Sequence, residues 1–159
     1  MLMAVVAIGA PAIAQDPTTY PVNLEVRDGR LAFTRESSCE GDRNPGDVCV
    51  RGGAAAEIVF TLGRGSEDWA LSEILIRDPA ANWQTRLPDR TRDEFPQFNR
   101  YGVLRAAGDG QGSMVVSFSN RHELAVQYGV IARNRSSGEQ LAPAHAVIDS
   151  DGGTAFSGE

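Results

Sequence analysis

Val22, Leu24 and Val26 alternate with Asn23, Glu25 and Arg27, the two-residue period of a strand with one buried face. Asp28-Gly29 follows, and Arg30-Leu31-Ala32-Phe33 alternates again. Residues 20–35 are therefore predicted to form a hairpin closed by a type I′ turn, which needs two positive-φ residues at its tip. Residues 36–53 are polar and rich in Gly, Pro and Asp, the composition of a loop. In residues 54–62, Ile58, Phe60 and Leu62 share one face and Glu57, Val59 and Thr61 the other. Three alanines could start a helix there, but β-branched and aromatic residues over so short a span favour a strand. In residues 69–77, Trp69 and Leu71 are out of phase with Ile74 and Ile76. A slip at Ser72-Glu73 is what a β-bulge produces, with one helical turn as the competing reading. Asp78-Pro79 ends the segment.

Residues 80–100 are irregular, carrying two prolines within a run of arginines and acids after Pro79. Short strands are predicted over 101–106, 113–119, 124–132 and 142–148, separated by Gly-Asp-Gly, Asn-Arg-His-Glu and Arg-Ser-Ser-Gly turns. Pro143 would place the last strand at a sheet edge, since proline cannot donate to a ladder. Seven or eight short strands with turn signals between them, and no convincing helix, point to an all-β fold. The expected architecture is an antiparallel sandwich of Ig-like or Greek-key type.

The N-terminus bears on compartment. Residues 2–13 carry no charge, and Ala12-Ile13-Ala14 precedes Gln15, the shape of a cleaved secretory signal. The run is shorter than the roughly 20 residues a spanning helix needs, and it lacks the usual leading Lys or Arg. An apolar N-terminal strand or a retained anchor is the competing reading. The expected organisation is a signal peptide over 1–14, one sandwich domain over 15–148 and a disordered tail over 149–159. A mature chain of that size fits one domain with a real core.

Composition then narrows the partners. The chain of 159 residues has a net charge of −6, and all 15 of its basic residues are arginine. No basic run or stripe occurs, so nucleic acid and anionic membrane are poor partners. After signal cleavage nothing would insert in a membrane. The expected partner is an unidentified protein or envelope component, with homo-oligomerisation left open. The expected location is periplasmic or extracellular. Cys39 and Cys49 have nine residues between them, and in an oxidising compartment such a pair reads as a structural disulfide.

Candidate chemistry is sparse. Glu40, Asp42, Asn44 and Asp47 crowd oxygen ligands into the cysteine loop, but the spacing departs from a calcium loop at its sixth and twelfth positions. A blue-copper centre needs two histidines and a free thiolate, and both cysteines are expected to be oxidised. His122-Glu123 with His145 could bind zinc only if strands converged them. No Gly-x-Ser-x-Gly elbow is present, and no carboxylate pair is marked for glycoside chemistry. No cofactor is expected.

What remains is the 83–100 segment with the residue after it. Trp83, Arg86, Arg90, Arg92, Phe95, Phe98, Arg100 and Tyr101 combine aromatics and guanidiniums, the types enriched at binding hot spots, on a long loop of a rigid scaffold. The alternative reading is that the aromatics cover the core while the arginines pair with Asp89, Asp93 and Glu94. The sequence thus favours an exported, non-catalytic binding module. Its competitor is an exported hydrolase or metal enzyme whose site is assembled from scattered strand-end residues. Such an enzyme would place His122 or His145 within hydrogen-bond reach of a serine or carboxylate at a concave opening.

Overall fold

The computed structural model describes residues 16–34, 37–41, 43–53, 55–82, 84–108 and 110–152. Nine strands and one short helix follow in the order β1 (Thr18–Arg27), β2 (Arg30–Phe33), β3 (Val48–Val50), β4 (Ala56–Leu62), β5 (Trp69–Arg77), α1 (Asp89–Glu94), β6 (Val103–Arg105), β7 (Ser113–Phe118), β8 (Glu123–Asn134) and β9 (Ala144–Asp151). They form two sheets, β2-β1-β4-β7 and β3-β9-β8-β5-β6. The fold is the all-β sandwich that the alternating pattern predicts.

Local signals translate directly. Asp28 and Gly29 take φ 51° and 71°, closing the β1–β2 hairpin with Arg27 opposite Arg30. The β5–β8 register shifts between Leu71 and Glu73, so the phase slip is a bulge and not a helical turn. Leu24, Ile58, Phe60, Ile74, Ile76 and Tyr128 fill the space between the sheets, each with 1% or less of its surface exposed. A fully buried side chain of this class contributes roughly 1.5–3 kcal/mol. Phe60 and Phe33 meet Tyr128 edge-on, at centroid separations of 5.4 and 6.0 Å, the geometry the ring quadrupole favours.

Four features differ from the sequence expectations. The sandwich is mixed: β1 lies parallel to β4, and β3 parallel to β9. The 36–53 excursion contains β3, whose three residues are all buried. β9 is not an edge strand, because Pro143 precedes it and no missing N–H falls in the ladder; β3 forms that edge instead. The last strand continues to Asp151, held by Asp149 opposite both Cys49 and Ala125. The predicted signal segment 1–14 and residues 153–159 lie outside the described residues.

A short helix also appears where none is expected. Pro88 precedes α1 and Asp89 opens its first turn, positions where proline's fixed φ and an acidic side chain suit a helix N-terminus. Phe95, with φ −122°, leaves helical space because the following Pro96 disfavours it there.

Candidate functional site

Residues 84–101 lie between β5 and β6 in the chain and dock on the end of β7, where the Ser117 amide donates to the Gln97 side chain, and the structure divides their side chains into two sets. Leu87, Phe95 and Phe98 belong to the core. Phe95 stacks on Phe118 at 4.8 Å and meets Phe98 edge-on at 5.8 Å. These two phenylalanines thus anchor the segment and present no recognition surface. Trp83 lies outside the described residues. Arg86, Arg90, Arg100 and Tyr101 are exposed, and Arg92 is partly so.

Backbone bonds hold the exposed set in place. The Leu87 amide donates to the Arg100 carbonyl at 2.9 Å, which brings Arg86 beside Arg100 and Tyr101. The Asn99 side chain accepts from the amides of Tyr101 and Val103. The Ile76 amide donates to Gly102, tying the same turn to β5. The Arg100 guanidinium lies 4.8 Å from the Tyr101 ring centroid, within cation–π range. Arg92 pairs with Asp89 at 3.2 Å. Arg86, Arg90 and Arg100 pair with no carboxylate among the described residues.

Beneath α1 sits the residue that sequence reasoning missed as a keystone. Glu94 is fully buried. Its carboxylate accepts from Ser119 Oγ at 2.8 Å, from the Arg121 amide at 3.0 Å and from His122 Nδ1 at 2.6 Å. Its backbone carbonyl accepts from the Ser119 amide at 3.1 Å. Burial pushes the carboxyl upward, but the Arg121, Ser119 and His122 hydrogen bonds outweigh it and hold Glu94 below the ordinary carboxylate range. An ionised carboxylate offers no donor, so Nδ1 of His122 carries the proton. Nothing in the run Asp93-Glu94-Phe95 marked the acid as buried; the Pro-flanked helix around it was the available signal.

This cluster partly meets the geometric condition set for a hydrolase, since His122 does reach a carboxylate. The order of groups is wrong for nucleophile activation, however. Ser119 and His122 both bond to Glu94, and the carboxylate stands between hydroxyl and imidazole, whereas a relay needs the imidazole in the middle. The arrangement fastens the β7–β8 turn to α1.

The metal candidates disperse similarly. Both Asp47 oxygens accept backbone amides, from Val147 at 3.0 Å and Asn44 at 3.1 Å. The buried carboxylate therefore extends the β3–β9 pairing. Glu40 and Asn44 are exposed, and Asp42 lies outside the described residues. Cys39 and Cys49 are joined in a disulfide, as expected. His145 faces Gly129 on β8, seven residues from His122, a separation of about 23 Å at strand rise. Two histidines so placed cannot share an ion, and a copper centre of the His-and-thiolate kind does not fit these residues. Among the described residues no group of three His, Cys, Asp or Glu could hold a metal, and no helix is long and apolar enough to cross a membrane.

No family model matches the chain, and no curated protein matches its sequence. Solved structures share a distant likeness. Rusticyanin from Thiobacillus ferrooxidans is 17% identical at a TM-score of 0.37, over 84% of this chain and 78% of that one. A laccase from Botrytis aclada is 12% identical at a TM-score of 0.38, over 89% of this chain and 30% of that one. A multi-copper oxidase from Pediococcus acidilactici is 12% identical at 0.37, over 94% and 30%. A likeness at this level carries no argument about activity.

Proposed function

We propose that this chain is an exported, non-catalytic β-sandwich that binds a carboxylate-bearing component of the cell envelope through Arg86, Arg90, Arg100 and Tyr101. One observation carries the reading: three exposed guanidiniums, in a protein of net charge −6, have no carboxylate partner among the described residues. An Arg fork matches a carboxylate bidentately, and the Tyr101 ring beside it, 43% exposed, offers the amphipathic contact common at hot spots. The disulfide supports an oxidising compartment, and the apolar run before residue 15 supports export.

The test is retention on immobilised poly-L-glutamate at low ionic strength. An acidic protein should be repelled by that polymer unless a local basic surface engages it. Retention that weakens with salt, and that is lost in the triple variant Arg86→Ala, Arg90→Ala, Arg100→Ala with an unchanged thermal midpoint, is the expected result. Failure of the parent protein to bind, or equal binding by the variant, would overturn the reading.

A further inference from the structure

We propose that the concavity over the β5 bulge is a second ligand site, one that takes a small hydroxylated oxyanion. This inference does not depend on the Arg86–Tyr101 surface. The bulge leaves Ser72 outside the β5–β8 pairing. Its hydroxyl instead donates to the Ile131 carbonyl at 3.2 Å, and its carbonyl accepts from the Ala106 amide at 2.9 Å. The chain leaving β6 then folds back onto β5. Leu71 and Gln111 exchange two backbone hydrogen bonds, at 2.7 and 3.0 Å. Gly110 makes that approach feasible: with φ 111°, a Cβ there would lie 2.8 Å from Ala70 Cβ and 2.9 Å from the Leu71 carbonyl.

Between this returning loop and the bulged strand lies a cavity of about 350 Å³, with Arg105 and Arg133 among its walls and Ser72, Glu73 and Gly108 around them. Two guanidiniums in one small hollow are unfavourable by themselves, and Glu73 offsets only one. Arg105 Nε stands 3.4 Å from Glu73 Oε1, while Arg133 pairs with no carboxylate among the described residues. Counted over its described residues, the hollow holds two guanidiniums against one carboxylate, which is available as acceptor. A carboxylate or phosphate group satisfies the two forks, and a neighbouring hydroxyl can donate to Glu73. Bulges commonly re-aim side chains beside binding sites, as this one does for Ser72.

Amide NMR titration of the intact protein with D-gluconate, and separately with inorganic phosphate, tests the site. Saturable shifts confined to residues 72–73, 105–112 and 131–133 are expected in the millimolar range. Gluconate alone shifting these amides would identify the ligand as a hydroxy-carboxylate, and phosphate alone as a phosphate. Arg133→Ala and Arg133→Glu change an exposed side chain and should each weaken binding about tenfold or more. Glu73→Gln should weaken gluconate more than phosphate. Retention on poly-L-glutamate should be unaffected by the Arg133 changes, which separates this site from the Arg86–Tyr101 surface. Absence of saturable shifts with both probes, or shifts unchanged by Arg133→Glu, would overturn the proposal.

Discussion

His122 Nδ1 stands 2.6 Å from Glu94 Oε1, an exposed imidazole closing over a carboxylate with no exposed surface. The pair joins α1 to the turn between β7 and β8, so Glu94 links the segment bearing the arginine surface to the sheet. Glu94→Gln would keep the volume but present an amide N–H₂ toward donors from Ser119, Arg121 and His122. Leaving buried donors unmet costs about 1–3 kcal/mol, and the urea midpoint should fall accordingly.

The same carboxylate makes stability depend on acid. Glu94 is held below its ordinary value in the fold, so the unfolded chain takes up its proton at higher pH than the folded one. Its stabilisation is complete above the unfolded carboxylate range, near pH 4.5, and declines as pH falls through the lower folded value. Urea midpoints measured from pH 6 to 3, taken as rough bounds around the ordinary Glu pKa, should drop at the acid end. The drop should be shallower in Glu94→Gln.

Tyr128 gives the opposite limb. Its hydroxyl donates to the Gly46 carbonyl, and burial, with a smaller effect from the Asp47 charge, pushes its ionisation above the ordinary tyrosine value of 10.0. The stabilisation linked to this phenol is present below that value and lost as pH rises through and beyond it. Ultraviolet titration should show Tyr128 ionising only with alkaline unfolding. Tyr128→Phe leaves the Gly46 carbonyl without its partner and should cost about 1–2 kcal/mol by thermal denaturation.

Phe95 and Arg90 are five residues apart and should behave as different kinds of residue. Phe95→Ala removes a ring with 0% exposure, stacked on Phe118, and should cost about 3–5 kcal/mol. Arg90→Ala alters an exposed side chain and should stay within about 0.5 kcal/mol. Paired denaturation curves check the contrast; equal losses would show that the segment is not divided between core and surface.

Reduction of the Cys39–Cys49 link, or Cys39→Ser with Cys49→Ser, reopens a closed loop. The chain-entropy account gives roughly 2.5–3 kcal/mol for a loop this short. The denaturation midpoint of the reduced protein should shift by that amount relative to the oxidised form.

What could be read in the residues was what they encode locally. The Asp28-Gly29 turn, the slip at Ser72 and the pairing of the two cysteines each depend on neighbours within a dozen positions. The parallel pairing of β1 with β4 depends on a partner 38 residues away, and alternation is blind to strand direction. Phe95 and Phe98 combined with nearby arginines to resemble a recognition surface, because composition does not distinguish an anchoring aromatic from a displayed one. Glu94 was illegible for the converse reason: an acid is expected in water, and only the fold brings the Ser119, Arg121 and His122 donors around it.

The parallel pairing of β3 with β9 sets Asp47 against Val147, 100 positions later. The five-stranded sheet therefore cannot be completed until β9 has been synthesised. Until then β3 has no neighbour to pair with in its sheet. Lateness of closure is thus built into the topology.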